Sequence, residues 1–159
     1  MLYPYTVCFF GHRYIDNHSE ISEDVYRIAK QLIKEKEYVE FLVGRDGDFD
    51  LIVASAIRMA TKELDYGNSS LIWILPYDKA EFENNRQAYE DYYDSVEVCE
   101  ESAKVHPKSA IKIRNRYMID RSDLCVFYVS KSSGGAYQAL RYAEKQDKKI
   151  INLYNNKFV

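Results

Sequence analysis

The sequence predicts an α/β fold in which a mainly parallel sheet is covered by helices on both faces. Short apolar runs of strand length alternate with amphipathic segments of helix length along the whole chain. The runs 71–75 and 124–129 are almost continuously apolar, as in strands that are buried on both faces. Strands that alternate with helices favour parallel pairing through right-handed crossovers. We therefore expect a three-layer sandwich.

The first half of the chain predicts three strands and two helices. The strands are expected at 5–10, 39–43 and 71–75, and the helices at 20–36 and 49–64. In the first helix Ile21, Val25 and Leu32 recur at helical spacing, and in the second Ile52, Ala56 and Met59 do the same. Pro76 ends the third strand.

The second half predicts the remaining elements with the same alternation. Helices are expected at 82–93, 109–120 and 136–146, and strands at 95–99, 124–129 and 149–153. Ala136, Ala139, Leu140 and Ala143 form the apolar stripe of the last helix. The sequence contains no repeat, linker or low-complexity segment. We expect one domain that spans residues 1–159.

Composition narrows the class of protein. The 159 residues are 47% hydrophobic and 30% charged, as in globular proteins, and no run reaches the length of a membrane span. The N-terminal residues read as a strand without a basic leader, so no signal peptide and a cytoplasmic location are expected. Cys8, Cys99 and Cys125 have neither disulfide nor metal-ligand spacing and are predicted to be buried thiols.

Charge is distributed unevenly along the chain. The net charge of −3 disfavours nucleic acid as a partner. Residues 81–101 carry eight acidic side chains against Arg86, whereas residues 104–121 carry six basic ones against Asp120. Such blocks are either solvated faces or, for the basic one, the lining of a site.

Three glycine-containing loops follow the first, second and fifth predicted strands, at residues 11–13, 44–48 and 132–135. In open parallel sheets, ligands bind outside the carboxyl ends of the strands, near the point where strand order reverses. Two of the loops also contain arginine, which can bind phosphate through two hydrogen bonds. We therefore predict a site for an anionic, nucleotide-like ligand. The predicted ligand-binding residues are Gly11, His12, Arg13, Gly44, Arg45, Asp50, Arg114, Asn115, Ser132, Ser133, Gly134 and Gly135.

The turn at 130–135 joins a buried strand to the last helix. Gly134 and Gly135 would let a phosphate approach the helix N-terminus, where backbone N–H groups lack intrahelical partners. The alternative is a plain turn that required small residues.

Several of the polar side chains have a structural alternative. His12 could bind a ligand, transfer a proton or hold its loop in place. Asp48 is favoured as the cap of the second helix, whereas Asp50 could cap it or bind ribose hydroxyls. Asn115 lies on the sheet-facing stripe of its helix, where an amide needs a partner, and Arg114 flanks that stripe as a phosphate contact. No metal site is predicted, because His18 and His106 lack partner ligands at helical spacing.

Taken together, the motifs FFGHR, VGRDGDFDLIVASAI, IRNRYMIDRSDLCVFYV and SSGGAYQALRYAEK resemble the SLOG superfamily, and most of all its YpsA-like branch. The resemblance spans about residues 7–153. It implies a Rossmann-like fold, a site for a nucleotide or nucleotide-derived ligand and a homodimer. It implies no particular reaction and no cofactor.

Enzymes of the superfamily, the LOG-type phosphoribohydrolases, carry a PGGxGTxxE signature. Aligned on the glycine pair, this chain has Ser133, Tyr137 and Gln138 in place of the proline, the later glycine and the threonine, and Arg141 in place of the glutamate. Because an oxocarbenium-like transition state depends on placed carboxylates, the loss of the glutamate disfavours catalysis, and no catalytic residue is assigned.

Two main hypotheses follow. The first is a module that binds or senses a nucleotide or ADP-ribose-like molecule. The alternative is a nucleoside-monophosphate N-glycosidase in which Asp50 or Asp46 replaces the glutamate and His12 assists. Single-stranded DNA binding, as in the DprA relatives, is disfavoured by the acidic isoelectric point of about 5.7, although the basic block supports it.

Overall fold

The computed structural model describes residues 3–155 and contains one six-stranded sheet. All neighbouring strands pair in parallel. The strands are β1 (Tyr5–Gly11), β2 (Val39–Val43), β3 (Ser69–Leu75), β4 (Ser95–Val98), β5 (Leu124–Tyr128) and β6 (Lys149–Asn152). Their spatial order is β4-β3-β2-β1-β5-β6. The α/β fold with a parallel sheet is therefore confirmed.

Helices cover both faces of the sheet. They are α1 (His18–Glu35), α2 (Asp48–Leu64), α3 (Ala80–Asn84), α4 (Arg86–Tyr92), α5 (Glu100–Ala103), α6 (Pro107–Arg121) and α7 (Gly135–Lys145). None of the helices within residues 3–155 is both long and apolar enough to cross a membrane.

The alternation of side chains along β1 separates the two cores. Val7 and Phe9 belong to a cluster with buried residues of α1 and α2, whereas Cys8 and Phe10 belong to a cluster with Met118 and other residues of α6 and α7. β1 therefore contributes to both cores, because it is buried on both faces. The three cysteines are buried and free, as predicted.

The direction of the strand order changes at β1. From β1 the chain moves outward through β2, β3 and β4, and it returns to the other side of β1 with β5. Gly11 at the end of β1 is in register with Tyr128 at the end of β5. The loops that follow these two strands therefore start side by side, and this is the position where doubly wound sheets bind ligands.

Two local predictions differ from the structure. The predicted helix 82–93 is divided at Asn85, whose φ of −133° and ψ of 30° are not helical. The bend lets Phe82 and Tyr93 both pack on Trp73, with ring centroids 5.9 and 5.4 Å away. The short helix α5 was not expected from the sequence.

The predicted cap of α2 is also wrong. Gly47 is the N-cap residue, and Asp48 is the first residue of the helix. The Asp48 carboxylate instead accepts a hydrogen bond from the backbone N–H of Ile15, at 3.2 Å. Asp50 does not cap the helix either, because its Oδ2 accepts from the N–H of Asp46, the residue before the N-cap, at 2.9 Å.

Candidate functional site

A cleft of about 420 Å³ opens at the carboxyl edge of the sheet, above the ends of β1, β2 and β5. Ten of the twelve predicted ligand-binding residues line it. They are Gly11, His12, Arg13, Gly44, Asp50, Arg114, Asn115, Ser133, Gly134 and Gly135. The volume lies within the range of small-molecule sites. The loops that the sequence predicted to converge are therefore brought together around one concave surface.

The wall formed by the start of α7 is exposed backbone. Gly134 has φ 94° and ψ 175°, a conformation that is almost restricted to glycine. A Cβ atom on Gly134 or Gly135 would meet nothing within 4 Å. The N–H of Gln138 donates to the carbonyl of Gly134, so the N–H groups of the three preceding residues have no intrahelical acceptor. These donors and the helix dipole favour an anion here.

His12 joins the loops after β1 and β5. Its Nε2 accepts a hydrogen bond from the backbone N–H of Ser130 at 2.9 Å, so the neutral ring carries its hydrogen on Nδ1. Burial and then the charge of Lys131 lower the pKa of His12. The ring also meets Tyr128 edge-on, with centroids 6.4 Å apart. The loop-holding role is thus realised, and the Nδ1–H remains as a donor.

Arg114 is buried, and its side chain reaches from α6 across the sheet end. Its Nη2 donates to Asp46 Oδ2 at 2.5 Å, and its Nη1 donates to the carbonyl of Ile74 at 2.8 Å. Nε donates to Asn115 Oδ1 at 3.0 Å. With only 2% of the side chain exposed and every nitrogen engaged, Arg114 fixes the floor of the cleft. The amide of Asn115 accordingly serves a neighbouring side chain.

The pKa values of two carboxyl groups in the cleft, those of Asp46 and Asp50, are shifted in opposite directions. Burial alone would raise the pKa of Asp46, but Arg114 and Lys79 hold it below its ordinary value. Lys79 Nζ lies 3.7 Å from Asp46 Oδ1. Burial raises the pKa of Asp50 to about 6, and the neighbouring Asp46 charge adds to this effect. Asp46 is therefore a fixed anion, whereas Asp50 can exchange a proton near neutral pH.

Two glycines on the rim are required by packing. A Cβ on Gly11 would lie 2.2 Å from the Phe49 ring, and one on Gly47 would lie 2.5 Å from the Cα of Arg13. The carbonyl of Arg13 also accepts from the N–H of Asp48 at 2.7 Å. The loops after β1 and β2 are therefore in direct contact, which holds Arg13 at the cleft.

The sequence matches no family model, and no curated protein is detectably similar to it. Solved structures are similar in fold. DNA processing protein A (DprA) from Helicobacter pylori, which was studied for its single-stranded DNA binding mode, is similar with a TM-score of 0.63 and 17% identity. The similarity covers 92% of this chain and 64% of that one. DprA from Streptococcus pneumoniae gives a TM-score of 0.66 at 14% identity, over 92% of this chain and 49% of DprA.

The chain has the Rossmann-like fold of DprA. A molybdenum cofactor carrier protein from Chlamydomonas reinhardtii shares it too, with a TM-score of 0.59 and 13% identity, over 93% of this chain and 75% of that one. This chain spans about two thirds and one half of the two DNA processing proteins. At these identities the likeness extends to the fold alone.

Within this Rossmann-like fold, two predicted site residues lie outside the cleft lining. The Arg45 side chain turns away from the cleft. Its Nη1 donates to the Tyr93 hydroxyl at 3.2 Å, and its guanidinium lies 5.0 Å from the ring centroid of Tyr89. Ser132 is exposed in the loop before α7. Neither side chain contributes to the concave surface.

Other residues complete the cleft without having been predicted. Lys131, Asp46, Gly47 and Ile111 line it. Lys131 follows β5 in the same turn as the glycine pair, so its position in the loop was the signal for it. The sequence suggests Asp46 only as a catalytic substitute, because a buried partner for Arg114 from another loop leaves no local pattern.

Proposed function

We propose that this chain is a YpsA-like member of the SLOG superfamily that binds or senses a nucleotide or nucleotide-derived, ADP-ribose-like small molecule in the cleft. The observation that supports this most strongly is the meeting of three strand-end loops around one cleft at the point where strand order reverses. The SLOG-like motifs lie on these loops and on α6. DprA, a relative in that superfamily, has the same fold.

In the proposed complex, the ligand phosphate binds the backbone N–H groups at the start of α7. Arg13 and Lys131 line the cleft and supply the compensating positive charge. The carboxyl of Asp50 accepts hydrogen bonds from ribose hydroxyls, and the Nδ1–H of His12 donates to the ligand. Arg114 keeps its internal partners and positions the cleft without contacting the ligand.

Thermal shift and calorimetry with AMP, ADP-ribose, NAD and cyclic nucleotides test this proposal. We expect saturable stabilisation by at least one of these compounds. Gly135→Asp should weaken its binding at least tenfold, because a carboxylate then occupies open space at the anion site. Ser95→Asp, which adds the same charge at the exposed start of β4 on the opposite edge, should bind normally. No stabilisation of the folded protein by any of these compounds contradicts the proposal.

A nucleoside-monophosphate N-glycosidase is the second candidate, and the titrating carboxyl of Asp50 in the cleft favours it. Arg141, which stands in place of the LOG-type glutamate, is exposed and lies outside the cleft lining. Asp46 is ion-paired, so the reaction would depend on Asp50 as acid or base. It predicts base release from nucleoside monophosphates that Asp50→Asn abolishes. No release from any common nucleotide contradicts it.

Single-stranded DNA binding is the property named for the Helicobacter pylori protein, and the shared fold raises it for this chain. The net charge of −3 opposes a long polyanion. DNA binding would show an affinity that falls steeply with salt concentration, whereas a flat response would exclude it. The homodimer stays a prediction, and sedimentation velocity measures it directly.

A further inference from the structure

A second concave surface lies beside the cleft, between α6 and α7. It encloses about 520 Å³, and its lining contains five basic side chains and no acidic one. These are Lys108, Lys112, Arg116, Arg141 and Lys145. It shares Ile111, Asn115 and Gly135 with the cleft. We call it the α6/α7 groove, and the shared residues make it continuous with the cleft.

Helical spacing aligns these charges on two facing rows. On α6 the three cations are four residues apart, which places them about 6 Å apart along the helix axis. On α7 Arg141 and Lys145 have the same spacing. Like charges four residues apart destabilise a helix slightly. The rows therefore gain nothing for the fold by themselves, and an anion between them would be stabilised from both sides.

Most of these cations have no carboxylate partner. Among residues 3–155, Lys108, Lys112, Arg116 and Lys145 form no ion pair within 4.0 Å, and Arg141 lies 3.8 Å from Glu144. Two arginines elsewhere in the structure, Arg86 and Arg121, are paired more closely. Arg86 lies 2.6 Å from Glu83, and Arg121 lies 2.8 Å from Glu97. The groove is thus a local excess of positive charge on an acidic protein.

Aromatic rings stand among the charges. Tyr137 and Tyr142 both line the groove. The Tyr142 hydroxyl donates to the Asp120 carboxylate at 2.8 and 2.9 Å, and the Arg116 guanidinium lies 4.9 Å from its ring centroid. Cationic rows with fixed aromatic rings are how proteins bind phosphate-linked nucleotides, whose bases stack on the rings.

We propose that the α6/α7 groove binds a second phosphate-bearing nucleotide of the same ligand, so that the ligand is a phosphate-linked dinucleotide with its first nucleotide in the cleft. This inference rests on the proposed function. Two observations favour a dinucleotide over a longer strand. Each concavity has the volume of a small-molecule site. The net charge of −3 opposes a long polyanion outside the groove.

The test compares AMP, 5′-phosphorylated ApA and a 20-nucleotide oligo(dA) by calorimetry. We expect the dinucleotide to bind at least tenfold more tightly than AMP. Lys112→Gln combined with Arg116→Gln should remove that advantage and change AMP affinity less than twofold. Lys108→Gln combined with Lys145→Gln tests the groove independently, if the first pair fails to fold. Lys34→Gln combined with Lys62→Gln removes the same charge from exposed positions on α1 and α2 and should have no effect.

The outcomes separate the two proposals. If none of AMP, ADP-ribose, NAD and the cyclic nucleotides binds the wild-type protein, the proposed function fails, and if one of them binds but the dinucleotide does not, only the groove inference fails. If AMP binds and the dinucleotide binds equally well, or if the groove variants keep its advantage, the groove inference is overturned. A hundredfold tighter binding of the oligonucleotide than of the dinucleotide also overturns it in favour of a nucleic acid strand.

Discussion

The guanidinium of Arg114 and the carboxylate of Asp46 form an ion pair of 2.5 Å beneath the cleft. The pair joins α6 to the loop after β2, and through the carbonyl of Ile74 it also holds the end of β3. Gly44 permits this approach, because a Cβ there would lie 3.0 Å from Asp46 Oδ2. An arginine from the basic segment thus becomes part of the scaffold of the site.

Loss of the Asp46 charge should destabilise the protein. In Asp46→Asn the buried guanidinium of Arg114 loses its counter-ion, and removal of one partner of a buried pair costs about 3–5 kcal/mol. Urea denaturation measures the free energy of unfolding. Glu37→Gln, an exposed charge removal, is the control and should stay within about 0.5 kcal/mol of wild type. An equally small effect of Asp46→Asn would show that the pair contributes little.

Stability should depend on pH through Asp50. Its pKa rises from 3.8 to about 6 on folding, so the folded state holds more protons between these values, and stability falls as pH rises through that window. Solvent reaches the cleft, so we expect a loss of roughly 1–2 kcal/mol relative to Asp50→Asn between about pH 4 and pH 7. Parallel stability curves for wild type and Asp50→Asn would contradict the raised pKa.

The glycine pair should respond unequally to alanine. Gly134 has a φ of 94°, so Gly134→Ala should cost about 1–3 kcal/mol through backbone strain. Gly135 is the first residue of α7 and has open space at its Cβ, so Gly135→Ala should be neutral or slightly stabilising. Thermal denaturation of both variants measures the difference. Equal effects of the two substitutions would rule out strain as the reason for Gly134.

His12 should stay neutral to a lower pH than an ordinary histidine. Burial and Lys131 lower its pKa below 6.5, so the stability of the neutral form is present above that value and is lost as pH falls below it. An NMR titration of the imidazole measures the midpoint directly. His12→Gln, whose side-chain oxygen can accept from Ser130, should be more stable than His12→Phe by about 1 kcal/mol. A midpoint above 6.5 would contradict the described environment.

Much of the fold follows from local sequence patterns. Strand and helix periodicity depend on neighbouring residues, so strand 39–43 matches β2 and most other elements differ from their predictions by one or two residues. The predicted helix 82–93 differed because its bend at Asn85 is set by packing against Trp73, a residue of another element. Long-range packing of this kind leaves no periodic signal.

The same distinction applies to the site. The positions of Gly134, Gly135 and His12 follow from the ends of β5 and β1, which topology alone places together. The orientation of an arginine side chain depends on which partner groups lie within its reach. Arg45 meets Tyr89 and Tyr93, and Arg114 meets Asp46, so neither guanidinium is available to a ligand. Residue type and position at a strand end therefore predicted where the cleft lies, whereas the partners of each side chain determine whether that side chain can contact a ligand.

The most direct test of nucleotide binding in the cleft is an NMR titration of the glycine amide signals with AMP. The chain has six glycines, of which Gly134 and Gly135 stand at the proposed phosphate site and Gly67 lies in the turn between α2 and β3. We predict that the signals of Gly134 and Gly135 shift saturably with AMP while that of Gly67 stays in place. Unchanged signals of Gly134 and Gly135 at saturating AMP would contradict the account.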